Sequence, residues 1–120
     1  MFNRMILVVS LSLLSGCVNL GKVGMHPQLK TSSFSASMDR TYRCLDSEAI
    51  RQALRLTEDD RLPGGGRRYN LLDQHNAVVA WLDMNSSGKQ TSIDLFYGRS
   101  EPQTERQLLT MVKQCQRELD

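Results

Sequence analysis

Cysteine and histidine, the usual nucleophile and neutral-pH base, are few in this chain of 120 residues: Cys17, Cys44 and Cys115, and His26 and His75. Catalysis needs converging groups, such as a nucleophile beside a base, a pair of carboxylates, or three to four metal ligands. No HExxH, GxSxG or close His/Cys spacing occurs. His26 falls in a stretch without periodicity and His75 at a predicted turn tip. Asp83 and Asp94 are expected on adjacent strands, where paired carboxylates are ordinarily solvated. Gly64-Gly65-Gly66 before Arg67-Arg68 lacks the lysine–serine pair and the following helix of a phosphate loop. The sequence therefore predicts a non-enzyme with no cofactor and no metal. Attention passes to the thiols.

Cys17 closes a short apolar segment. Arg4 is the only charged residue ahead of it, and Met5 to Leu14 is apolar apart from Ser10 and Ser12. A positive start, an apolar run of roughly 7–15 residues and small residues at its end define a secretory signal. The run is about half of the ~20 residues a permanent membrane-spanning helix needs. Leu14-Ser15-Gly16-Cys17 resembles the lipobox of bacterial lipoproteins: an aliphatic residue, two small residues, then cysteine. The resemblance covers only these first seventeen residues. It implies that Leu14, Ser15 and Gly16 are recognised for cleavage and that Cys17 carries the lipid, with palmitate among its acyl chains. In that family an aspartate after the cysteine directs inner-membrane retention. Val18 stands there, so the implied location is the periplasmic face of the outer membrane, with inner membrane or cell surface as alternatives.

The organisation that follows is a signal peptide at 1–16, a lipidated flexible tether at 17–37 and a small periplasmic domain at 38–120. Loss of Arg4 lowers the formal charge of +2 to about +1, so no net field points to nucleic acid. Several acyl chains on one cysteine hold a protein stably on a membrane, whereas one chain holds weakly. An exported protein with two remaining cysteines and no CxxC motif is expected to join them, and Cys44 to Cys115 is the predicted disulfide. Closing about seventy residues stabilises by roughly 4 kcal/mol in the chain-entropy model.

In the tether, Gly21, Gly24, Pro27 and five Ser/Thr residues between 31 and 37 carry no period. A helix is predicted from Asp39, read as its cap, to Leu56, with Tyr42, Leu45, Ala49, Ala53 and Leu56 as the buried stripe. Arg40, Arg43, Arg51 and Arg55 fall mostly outside that stripe. Thr57 to Gly66 reads as a loop. Period two then marks three strands, 67–73, 77–84 and 90–97, joined by turns at 74–76 and 85–88. Ser100-Glu101-Pro102-Gln103 resembles a capping box, opening a helix to about Leu119 with Leu108, Met111, Val112, Cys115 and Leu119 inward. The predicted fold is a two-layer α+β domain, helix–three-stranded antiparallel meander–helix, behind an N-terminal lipid tether.

Counting faces gives a candidate binding surface. With a two-residue turn in Asp73 to Asn76, Tyr69, Leu71, Val78, Ala80, Leu82, Ile93 and Leu95 are assigned to the helices. Leu72, Val79, Trp81 and Phe96 are assigned to the opposite face, flanked by Arg68, Asp83 and Asp94. That face is more apolar than water requires. A one-residue slip of register would instead turn Trp81 into the core. The function expected is a non-catalytic binding or accessory module of the cell envelope, such as a small subunit of an envelope or secretion assembly. Its partners are the membrane, through the lipid, and an envelope protein or a second copy. A surface or protective exclusion lipoprotein is the alternative class, and a small envelope enzyme the third.

Overall fold

The computed structural model describes residues 23–120. Leu14, Ser15, Gly16 and Cys17 lie outside the described residues. Among the described residues, two helices and a five-stranded antiparallel sheet make an α+β fold. In chain order the elements are β1 (Gln28–Phe34), α1 (Met38–Arg51), β2 (Arg55–Arg61), β3 (Arg67–Leu72), β4 (Val78–Ser87), β5 (Gln90–Tyr97) and α2 (Pro102–Leu119). The strand order is β1-β5-β4-β3-β2. The expected three strands form the centre, and two further strands take the edges.

Both edge strands correct the sequence reading. Gln28–Phe34 pairs along its length with β5, from Gln28 opposite Tyr97 to Phe34 opposite Thr91, so the described part of the expected tether belongs to the domain. Val23 is already buried, and the His26 carbonyl accepts from Arg99 Nε at 2.9 Å. The stretch hid because its exposed residues are mostly glutamine, lysine, threonine and serine, as an edge strand tolerates. The charge run Glu58-Asp59-Asp60 lies in β2, not in a loop. Its charged groups stay in water at the other edge, while Leu56 points inward and is buried.

Helix α1 stops earlier than the apolar spacing predicts. Leu54 N–H bonds the Ala49 carbonyl at 2.8 Å and Ala53 N–H bonds that of Ile50 at 3.0 Å, closing a left-handed C-terminal turn. Ala53 carries the positive φ of 60° that glycine usually supplies there, so the turn leaves no glycine signal. Ala53 and Leu56 therefore leave the helical stripe. The N-cap is Ser37, whose Oγ accepts from Arg40 N–H at 3.3 Å, and not Asp39. At α2 the capping box does not form: Glu101 is the N-cap, without a side-chain cap bond.

The helices lie side by side on one sheet face. Cys44 and Cys115 are joined by a disulfide across 71 residues of sequence, with Cα atoms 5.8 Å apart. The core between the layers holds Phe34, Leu45, Leu71, Leu82, Ile93, Leu95, Leu108 and Met111, each at most 1 % exposed. Tyr42 stacks on Tyr69 at the border of that core, with ring centroids 5.1 Å apart. At the 3.6-residue period, Leu108, Met111, Val112 and Cys115 all face it, and Leu119 is partly buried against it.

Candidate functional site

The sheet face opposite the two described helices is built by strand alternation. Pairing registers align Thr57, Asn70, Trp81, Phe96 and Leu29 in one transverse row over all five strands. The next row is Arg68, Asp83, Asp94 and Thr31. Side chains opposite one another on antiparallel strands are close enough to interact, and both rows do so. Trp81 and Phe96 meet with centroids 6.4 Å apart at a tilt of 55°. Arg68 lies over the Trp81 ring, its guanidinium carbon 5.7 Å from the centroid.

Arg68 is fixed from its other side. Its Nε and Nη2 donate to the two carboxylate oxygens of Asp83 at 2.6 and 2.8 Å. This fork-to-carboxylate geometry is the strong form of a charged hydrogen bond. The bond to Asp83 raises the guanidinium pKa against the opposing effect of burial. Asp83 and Asp94 do stand opposite each other, but they have separate partners: Asp94 Oδ1 accepts from Thr31 Oγ1 at 2.9 Å. The two carboxylates thus belong to a hydrogen-bonded row and do not share a site.

One member of the predicted surface is displaced. A bulge pairs Leu71 with Ala80 but Leu72 with Val78. Val79 becomes the extra residue and joins the core, while Val78 takes the outward place beside Leu72. The two-residue-turn register assumed from the sequence inverted this pair. The actual turn has Asp73 N–H on the Ala77 carbonyl at 3.0 Å and Asn76 at φ 61°. A left-handed residue at that position is the mark of a longer hairpin loop with a bulge. Leu72, Trp81 and Phe96 are where the sequence put them. The structure adds Leu29, 54 % exposed at the outer strand, whereas Val78 is itself buried at 6 % exposed. The alternation Leu29, Thr31, Ser33 was the signal for it, too weak to read without β5 beside it.

The remaining sequence candidates are spread apart. His75 is at the β3–β4 turn and His26 ahead of β1. The glycine run makes a short turn before β3, with Gly64 and Gly65 at φ 78° and 86°. Among the described residues no group of three His, Cys, Asp or Glu side chains is placed to hold a metal ion, and no helix is long and apolar enough to cross a membrane. What the outer face presents is an aromatic pair, aliphatic neighbours and a fixed ion pair at its border. Comparison with protein-family models, with curated proteins and with solved structures found no match.

Proposed function

We propose that this chain is a non-catalytic binding module of the bacterial cell envelope, held at the membrane by lipid on Cys17, with the outer sheet face as its protein-docking surface. The observation that carries the reading is the row of Trp81 and Phe96, with Leu29 and Leu72 around it, on the side of the sheet opposite both described helices. Contiguous apolar surface with a polar border is characteristic of protein contact sites, and aromatic side chains dominate their energetics. The disulfide fits an oxidising compartment, which supports export. The lipobox resemblance supplies the anchor.

The test is partner crosslinking and oligomeric state for Trp81→Ala and Phe96→Ala, with circular dichroism as the fold control. Loss of the crosslinked partner or second copy with an intact spectrum is expected. Unchanged association would overturn the docking surface. For the anchor, Cys17→Ser should lose palmitate labelling and leave the membrane fraction. A variant still labelled and membrane-bound would overturn lipidation.

A further inference from the structure

The helical layer sorts its charges by direction. In each helix the buried residues recur at threes and fours and face the sheet, Leu45 and Ala49 in α1 and Leu108 and Met111 in α2 among them. The same spacing leaves Arg40, Arg43 and Arg51 of α1 and Arg106, Lys113 and Arg117 of α2 outside that stripe, all six exposed. The helices run antiparallel, tied at one end by the disulfide and toward the other by Gln107 Nε2 on the Gln52 carbonyl at 2.8 Å. Arg40 and Arg43 therefore share an end with Lys113 and Arg117, and Arg51 lies toward Arg106. Each set of three spans about 16 Å of helix.

The acidic side chains of these helices are engaged elsewhere. Asp39 pairs with Arg67 of β3 at 3.8 Å, and Glu48 is buried. Asp46 lies beside Tyr42 and Glu105 beside Tyr97. Glu118 does reach the basic surface, in a shallow cleft with Arg40 and Arg43, where its Oε2 rests 3.3 Å from Cys44 Sγ. Among the described residues, Arg51, 3.6 Å from Glu48, is the only one of the six bases within ion-pair distance of a carboxylate. A second feature of this layer is unexplained by folding. Ile50, on α1 between Arg43 and Arg51, is 63 % exposed.

We propose that the helical layer lies against a bilayer surface rich in anionic phospholipid, with its bases at the headgroup phosphates and Ile50 in the interface. Charge and the apolar residue choose the occupant together. Each Lys or Arg near such a surface strengthens binding about fivefold. A large apolar side chain among cations is what an interfacial helix presents to lipid, and a polyanion in solution offers Ile50 nothing. On the opposite face of the sheet, Arg68 is already paired with Asp83. This placement turns Trp81 and Phe96 away from the lipid. It does not depend on lipid at Cys17.

The test uses the full chain as Cys17→Ser, so that no acyl anchor contributes, and sedimentation with phosphatidylcholine vesicles with and without phosphatidylglycerol. Residues 1–22 are common to every variant, so differences between variants report the domain. The chain should prefer the anionic vesicles, and high salt should remove the preference. Arg40→Gln with Arg43→Gln, and Lys113→Gln with Arg117→Gln, should each weaken anionic binding about 25-fold. Arg55→Gln with Arg61→Gln, the same loss of charge from exposed positions of β2, should leave it within about twofold, because screening confines the effect to nearby charges. Orientation is read by fluorescence with brominated phosphatidylcholine as quencher. Trp81, the only tryptophan, should be unaffected, whereas Ile50→Trp should add a blue-shifted, quenched component. No preference for anionic vesicles, an equal loss in the β2 variant, or quenching of Trp81 but not of Ile50→Trp would overturn the membrane-facing layer.

Discussion

The two faces of the sheet are written in the same strands, one residue out of phase, and they meet different neighbours. On the inner face Leu71, Ala80, Leu82 and Ile93 are wholly buried beneath α1 and α2. On the outer face Leu72, Trp81 and Phe96 keep part of their surface in water. Burial drives folding through the inner set, at about 25 cal/mol for each Å² of apolar surface. The outer set retains apolar area that association can still remove from water. On the proposed function, stability and recognition sit on alternate residues, and single substitutions should separate them.

The largest effect should come from the staple behind the inner face. Cys115→Ala removes a closed loop of 71 residues and should cost about 2–5 kcal/mol, read as a fall in thermal midpoint. Leu82→Ala, with a wholly buried side chain, should cost about 3 kcal/mol in a urea titration. Its neighbour on the other face, Trp81→Ala, should cost nearer 1 kcal/mol. Equal losses for these two would erase the distinction between the faces. At the border, Arg68→Ala leaves Asp83, itself 8 % exposed, without its two charged bonds. That should cost about 1–2 kcal/mol, and Asp83→Asn in the same background should recover part of it.

Smaller effects sharpen the boundary elements. Ala53→Gly relieves a left-handed alanine at the end of α1 and should stabilise by about 0.5–1 kcal/mol in denaturant titration. Tyr97 supplies the pH test. Burial first, then the hydrogen bond to Glu105, holds its phenol above the usual value. The folded value exceeds the unfolded one, so this contribution is complete below about pH 10 and is lost as pH rises past it. Tyr97→Phe should make the alkaline fall in stability shallower, and Tyr42, also raised first by burial, contributes in the same direction.

The central strands, the final helix and the cysteine pair were legible because each carries a strong period or a chemical constraint. Tyr69 and Leu71, Leu82, Ile93 and Leu95 alternate cleanly, and Leu108 to Cys115 recur at threes and fours. The edge strands were not, for a physical reason. Each has only one neighbour, so Gln28–Phe34 and Arg55–Arg61 carry polar residues that resemble tether and loop. The end of α1 misled because alanine holds a glycine conformation there. Val78 and Val79 exchanged faces because a bulge is a one-residue event with no signature in an apolar pair.

The central claim is that the outer sheet face meets a protein while the helical layer does not. A photoreactive amino acid placed at Phe96, and separately at exposed Lys113 on α2, tests it in intact cells. A discrete crosslinked adduct from position 96, and none from position 113, is the result predicted. No adduct at position 96, or the same adduct from both positions, would contradict it.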